Sequence, residues 1–377
     1  MIYLDYSANT PPDPAVLEKY LETEKQFIGN ANSNHSAGEA VRRLLADVTD
    51  NIAALLGVLP AEIIYTSGAS ESNNMAVKGI LRAQRHVGRH VISTPLEHPS
   101  VSGPVTFLNE QGAEVDMVRI DGDGRIDLDN LRELLRGDTV LVTVTAVDSE
   151  LGTVQPVDEI AAILKDFPNC RLHVDATQAI GKIPFDFGNA DTVTFAPHKF
   201  YGQNGTGVLV KKRSLVIEPL IHGGSGLSLS RSGTPAAGLI AGLGEALRLS
   251  LGALEERLEA VSELNAYLKA GLRSIPGIRI NSPEGAVPHI LNISLAGVKG
   301  TAIQKKLSDR GIMVSVKSAC STEGTPSRAV LAVSRDRRNA LSSFRISLSH
   351  LTERREIDAL LEALGDISRE CGTEAGL

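Results

Sequence analysis

The chain of 377 residues is 42% hydrophobic and 22% charged, with a formal net charge of −7. Those proportions are ordinary for a soluble globular protein and argue against a nucleic-acid-binding surface, and no apolar run reaches the ~18 residues of a membrane span. The length corresponds to about two to three domain-sized units. Cys170, Cys320 and Cys371 are too widely spaced for a disulfide framework or a zinc pattern. A reducing cytoplasm is therefore the expected setting, where a working thiol stays free. Met1-Ile2-Tyr3-Leu4-Asp5 enters an ordered-looking segment at once, which argues against a signal peptide.

In chain order, Ala15–Gln26 reads as a helix, and Ala40–Leu56 carries the helical period through Val41, Leu44, Leu45, Val48, Ile52 and Leu55. Glu62–Thr66 is a strand and Glu71–Ala83 a helix. His90–Thr94, Glu114–Val118, Val140–Val144 and Arg171–Asp175 are further strands, and Thr192–Phe195 is another apolar stretch. Valine-rich strands between helices predict an α/β fold, with a mostly parallel sheet covered on both faces. After Pro235 a long helical stretch, Ala236–Leu272, leads to a last segment. That segment has strands at His289–Ser294, Val314–Val316 and Phe344–Leu348 and then a terminal helix, and it reads as a smaller α+β domain. The expected division is residues 14–250 for the large domain, with 1–13 and 251–377 forming the small one.

The chemistry gathers at strand ends. Asp175 closes one strand, and Lys199 follows the next apolar stretch, in a turn punctuated by Gly202, Gly205 and Gly207. A carboxylate and a lysine at the carboxyl ends of neighbouring parallel strands suit pyridoxal phosphate (PLP). That cofactor takes a lysine for its Schiff base and an acid for its pyridinium nitrogen. Gln178 is spaced to donate to its phenolic oxygen. Thr66-Ser67-Gly68-Ala69-Ser70-Glu71 reads as strand, small-residue turn and helix start, an arrangement whose free N–H groups bind anions. His98 follows the strand ending at Thr94, where an imidazole can stack on the ring and act as acid or base. Cys320 sits in a small, polar loop bounded by Gly324 and Pro326, with Lys317 nearby to favour its thiolate. Arg345 can clamp a substrate carboxylate bidentately. Cys170 and Cys371 read as structural or incidental. Singly, each residue has a plainer reading as a loop lysine, a helix cap or a surface ion pair; their co-occurrence carries the assignment.

Further motifs run nearly end to end: Tyr3-Leu4-Asp5-Tyr6-Ser7-Ala8-Asn9-Thr10-Pro11, Gly29-Asn30-Ala31-Asn32-Ser33-Asn34-His35, Glu150-Leu151-Gly152-Thr153-Val154-Gln155, His173-Val174-Asp175-Ala176-Thr177-Gln178 and Arg231-Ser232-Gly233-Thr234-Pro235. With Glu97-His98, His198-Lys199 and Ser318-Ala319-Cys320, they make the chain resemble the NifS/IscS-type cysteine desulfurases of the class V aminotransferase family. The resemblance implies a fold-type I PLP enzyme with a seven-stranded sheet, converting L-cysteine to L-alanine and passing the sulfur through a Cys320 persulfide to an acceptor protein. It implies Lys199 as the Schiff-base lysine, Asp175 at the pyridine nitrogen, Gln178 at the phenolic oxygen and His98 on the ring. It implies Gly68, Ala69, Ser70 and His198 around the phosphate, and Asn32 and Arg345 at the substrate carboxylate. Thr234 is expected to reach the phosphate of a second subunit, so a homodimer follows. The family's Ser-Gly before His-Lys is here Ala196-Pro197, its phenol-contacting asparagine aligns with Ser149, and Lys317 stands where glycine is usual. From charge, apolar run length and cysteine spacing, no metal, no membrane and no direct nucleic-acid binding are expected. Two other readings stay open: a class V lyase acting on selenocysteine or cystine, and a weakened paralogue serving as a partner protein in sulfur trafficking.

Overall fold

The computed structural model describes residues 1–224, 228–316 and 325–374. Twelve strands are present among them: β1 (Ile2–Tyr3), β2 (Ile63–Thr66), β3 (His90–Ser93), β4 (Glu114–Met117), β5 (Thr139–Thr145), β6 (Arg171–Asp175), β7 (Thr192–Phe195), β8 (Gly207–Lys211), β9 (Ile278–Ile280), β10 (Ile290–Leu295), β11 (Ile312–Met313) and β12 (Ser343–Ser347). Seven form one sheet in the order β2-β8-β7-β6-β5-β3-β4. Only β8 runs against the rest, antiparallel to both β2 and β7. The fold-type I expectation of a mostly parallel, seven-stranded sheet is met.

Neighbouring residues on the buried strands face opposite ways, and each finds helices. Val91, Leu141 and Leu209 pack with Met75 and Ile80 of the helix Ala69–Ala83 and Val101 and Val105 of the helix Pro99–Glu110. Ile92, Val142 and Val208 point to the other face, among Ile160 and Ile163 of Val157–Leu164 and Leu243 and Leu247 of Ala237–Gly252. This two-sided burial explains why the strands read as valine-rich rather than as alternating apolar and charged residues.

A second core surrounds the antiparallel sheet β12-β10-β9. It packs Leu291, Ile293, Phe344 and Ile346 against Leu268 of the helix Leu254–Leu272, Ile303 of Gly300–Asp309 and Leu360 and Leu364 of Arg354–Glu374. β1 pairs in parallel with β11, and Asp5 bridges to Ser347. The expected single helix Ala236–Leu272 is instead two, Ala237–Gly252 and Leu254–Leu272, meeting at 66°. Gly252 weakens the helix at the break, and the two halves bury their apolar faces in different cores. Among the described residues, no single helix is long and apolar enough to cross a membrane.

Candidate active site

The parallel register sets the site. Thr145 pairs with Asp175, and Asp175 with Thr194, so β5, β6 and β7 end together. A cavity of about 380 Å³ lies beyond those ends, lined by Asp175, Gln178, His98, His198, Lys199, Ser149 and Arg345 and by Gly68, Ala69 and Ser70.

Lys199 stands on the single 3-10 turn Pro197–Lys199 that follows β7. The turn is tightly braced. Thr10 donates from both its backbone N–H and its hydroxyl to the His198 carbonyl, at 2.9 and 3.0 Å. The same hydroxyl accepts the Tyr201 N–H at 2.7 Å. Tyr201 adopts φ 68°, a conformation that costs a non-glycine residue about 1–2 kcal/mol, and its phenol shares a 2.6 Å hydrogen bond with Ser349. Lys199 Nζ donates to the carbonyls of Ser7 and Ala8, at 2.9 and 2.7 Å. The N-terminal segment therefore straps the lysine turn onto the cavity.

The opposite end is the start of the helix Ala69–Ala83. Gly68 is its N-cap and supplies no side-chain cap, so the first-turn N–H groups have no intrahelical partner where Gly68, Ala69 and Ser70 line the cavity. β8 abuts this turn closely: a Cβ on Gly207 would lie 2.5 Å from the Gly68 carbonyl carbon. Only glycine there leaves the loop its shape. Unpaired amide donors at a helix start in a sheltered cavity make an anion cradle.

Asp175 is buried and His98 half-buried, and both line the cavity. Asp175 accepts the Thr177 N–H at 3.0 Å and an amide N–H of Asn73 at 2.8 Å. His98 caps the helix Pro99–Glu110, its Nδ1 accepting the Ser100 N–H at 3.1 Å. Burial holds His98 below the usual histidine range, with Asp175 opposing and Lys199 adding to the effect. Gln178 donates from Nε2 to the Ser7 carbonyl at 2.9 Å, while its Oε1 accepts from the buried Lys182. Burial lowers Lys182 well below the ordinary lysine value, and Lys199 and Arg345 add to it. His198 is held at about 4, again by burial first and then by the two lysines.

Arg345 enters from β12, with its side chain 2% exposed. One Nη donates to Asp5 Oδ1 at 2.8 Å and the other to the Ser149 carbonyl at 2.8 Å. Among the described residues, its buried Nε has no hydrogen-bond partner. Buried acids stand behind it. Burial pushes Asp148 up to about 7, with Glu150 adding to it. Glu97 is pushed up to about 8 by burial and then by Asp175.

Not every expected residue reaches this cavity. Thr234 lines a second, neighbouring cavity of about 440 Å³, which shares Ser67 with the first. The 2.9 Å ion pair of Arg231 with Glu71 links the two. Asn32 is exposed and does not line the main cavity. Cys320, with Lys317, lies outside the described residues, as does the side chain of Cys371. Cys170 is buried in the large core, where burial drives its thiol up to about 12. A thiol so placed is inert, in keeping with a packing role. Sequence reasoning assigned no role to Asn73, Ser100, Lys182 or Asp5. Asp5 falls inside a quoted motif and Asn73 inside the predicted helix Glu71–Ala83, but only the fold brings them against Arg345 and Asp175.

Comparison with known proteins agrees with this fold. The sequence model of the family described as aminotransferase class-V matches residues 2–360. A protein named cysteine desulfurase IscS from Dictyoglomus turgidum is 34% identical over 377 residues, covering 99% of this chain and 95% of that one. A solved structure titled NifS-like protein superposes with a TM-score of 0.92 at 34% identity, covering 97% of this chain and 98% of that one. A structure described as SspA in complex with cysteine has a TM-score of 0.81 at 30% identity, covering 92% of this chain and 99% of that one.

Proposed function

The chain belongs to the class-V aminotransferase family, and on that footing we propose that it is a PLP-dependent cysteine desulfurase, converting L-cysteine to L-alanine and handing the sulfur to an acceptor protein. The observation that carries this reading is the placement of Lys199 and Asp175 on the floor of one cavity whose far end is a cradle of free helix N–H groups. That donor set suits an aldehyde, a ring nitrogen and a phosphate on one small molecule.

When bound, PLP supplies an electron sink for the substrate carbon. Asp175 would hold the ring nitrogen, Gln178 the phenolic oxygen, and Gly68, Ala69, Ser70 and His198 the phosphate. Ser149 stands where the family usually supplies one more donor. Lys199 would anchor the cofactor and then move the proton at the substrate's α-carbon. The strap formed by Ser7 and Ala8 keeps its amine aimed into the cavity. His98 carries its free nitrogen, Nε2, as the group that handles the thiol proton of the substrate. Arg345 would take the substrate carboxylate on its remaining N–H groups, with Asn32 assisting. Cys320 is proposed as the nucleophile: its thiolate bonds to the substrate sulfur, the carbon–sulfur bond breaks with its electron pair left on the carbon, which takes up a proton and departs as alanine, and the sulfur stays as a persulfide. A working thiol favours a reducing, cytoplasmic setting. Thr234 opens on a separate cavity, which supports a homodimer in which it serves the second subunit. The large and small domains would divide near residues 14–250 and 251–377, with 1–13 joining the latter. Iron–sulfur cluster assembly, tRNA thiolation and cofactor synthesis are the destinations open to the sulfur.

The test uses purified protein reconstituted with PLP. Wild type should be yellow and should form alanine from L-cysteine, with sulfide released once a thiol reductant is present. Cys320→Ala should keep the colour and lose sulfide release. A yellow wild type inert to cysteine but active on selenocysteine or cystine would replace the substrate assignment, and undiminished sulfide release from Cys320→Ala would remove the persulfide step.

A further inference from the structure

We propose that Asn73 is a positioning residue that joins Asp175 to His98, orienting the carboxylate and directing the imidazole's proton through one hydrogen-bonded row. The proposal rests on the reading of Asp175 and His98 as cofactor-facing groups.

Asn73 lies in the helix Ala69–Ala83, fully buried beneath the cavity floor. Both hydrogens of its Nδ2 are used: one goes to Asp175 Oδ2 at 2.8 Å, the other to Ser100 Oγ at 2.8 Å. Its Oδ1 lies 3.0 Å from His173 Nε2. An amide oxygen can only accept, so His173 donates from Nε2. That leaves His173 Nδ1 to accept from the Thr192 hydroxyl, 2.9 Å away. His173 is held at about 4 by burial, with Asp175 opposing, which agrees with a neutral ring carrying one proton.

The other arm is equally constrained. Ser100 Oγ accepts from Asn73, so its own hydrogen is free for His98 Nδ1 at 2.8 Å. The same Nδ1 also accepts the Ser100 backbone N–H. A nitrogen that receives two donors carries no hydrogen, and the His98 ring proton is therefore on Nε2. From Thr192 to His98, each proton has one position that satisfies its neighbours. Only an amide at position 73 can give two N–H groups and accept a third; a carboxylate has none to give, and a hydroxyl has one. Buried rows of this kind hold their members rigidly when every site is satisfied.

Two variants separate the arms. Asn73→Asp withdraws the donor from Asp175 and sets a second carboxyl against it, so the PLP dissociation constant should rise at least about tenfold, as expected for a lost hydrogen bond to a charged group. Ser100→Ala removes the hydroxyl donor to neutral His98 while leaving the charges that face it, Asp175, Lys199 and Arg345, in place. The His98 protonation midpoint, followed by imidazole nitrogen NMR on cofactor-free protein and assigned with His98→Gln, should rise by about 0.5–1 pH unit. In the double variant the effect of Asn73→Asp on that midpoint should shrink, because the row is already cut. Asn73→Ser gives the same two readings should Asn73→Asp not fold. An unchanged His98 midpoint in Ser100→Ala, or wild-type PLP affinity in the position-73 variant, would overturn the proposal. The NMR reading needs no cofactor, so a wild type inert to cysteine would sink the desulfurase reading and leave this test intact.

Discussion

Asp175 and Arg345 bring opposite charges into the same cavity, and they are secured in different ways. Asp175 belongs to the large sheet, and its partners, Thr177 and Asn73, lie on the same body. Arg345 comes from the small sheet and is held by Asp5 of the N-terminal segment and by the Ser149 carbonyl beyond β5. One wall is thus a property of the large sheet and a helix packed on it, while the other exists only where three distant segments converge. The difference suits their proposed tasks: a cofactor that stays wants a fixed seat, and a substrate that leaves needs an arginine with a hydrogen-bonding edge still open.

The sharpest way to break the comparison is to remove the group between the walls. Lys199→Ala should cut alanine formation at least about 1,000-fold, since it deletes both anchor and proton carrier. Cofactor phosphate contacts should survive it, so a variant that still binds PLP without the yellow colour is expected by absorption spectroscopy.

Next, the two walls should fail in different kinetic constants. Asp175→Asn should lower kcat about 100-fold with KM nearly unchanged. Arg345→Lys loses the fork that reads a carboxylate, and should raise KM about tenfold with wild-type cofactor affinity. Steady-state kinetics with L-cysteine separates them; matching changes in both constants would erase the division of labour.

A smaller effect is expected at the cradle. The added methyl in Gly207→Ala must push the Gly68 turn aside, costing about 1–3 kcal/mol in urea unfolding and weakening PLP binding. Unchanged affinity would show that the cradle's shape is not set by β8.

The last concerns Glu97, whose effect is confined to one pH window and leaves the chemistry of the cavity in place. Burial raises its carboxyl to about 8, so the folded protein holds this proton more tightly than the unfolded chain. The stability it supports is full below the ordinary value of about 4.5 and is lost as pH climbs toward about 8. The slope is at most about 1.4 kcal/mol per pH unit. Glu97→Gln should therefore gain on wild type between those limits, measured as denaturation midpoints at both ends. Parallel curves would mean that Glu97 is not the proton carrier.

Much of this molecule was legible without coordinates. Valine-rich stretches between helices announced the sheet, because strands buried on both faces favour apolar and β-branched residues, as the Val and Thr of β5 and β7 show. Lys199, Asp175, Gln178 and the Gly68–Ser70 turn were readable because local rules place strand ends and helix starts, and the chemistry of PLP accounts for their residue types. The break at Ala253 was not readable, since Gly252 is tolerated within many helices and only the need to serve two cores bends the chain there. The tertiary structure alone decided which side chains meet. Asn73 touches Asp175 across 102 positions, and Asp5 reaches Arg345 across 340. No periodicity spans such distances: the sequence by itself determined the elements and the reactive groups, while the partners that orient those groups follow from how the two sheets and the N-terminal strap pack together.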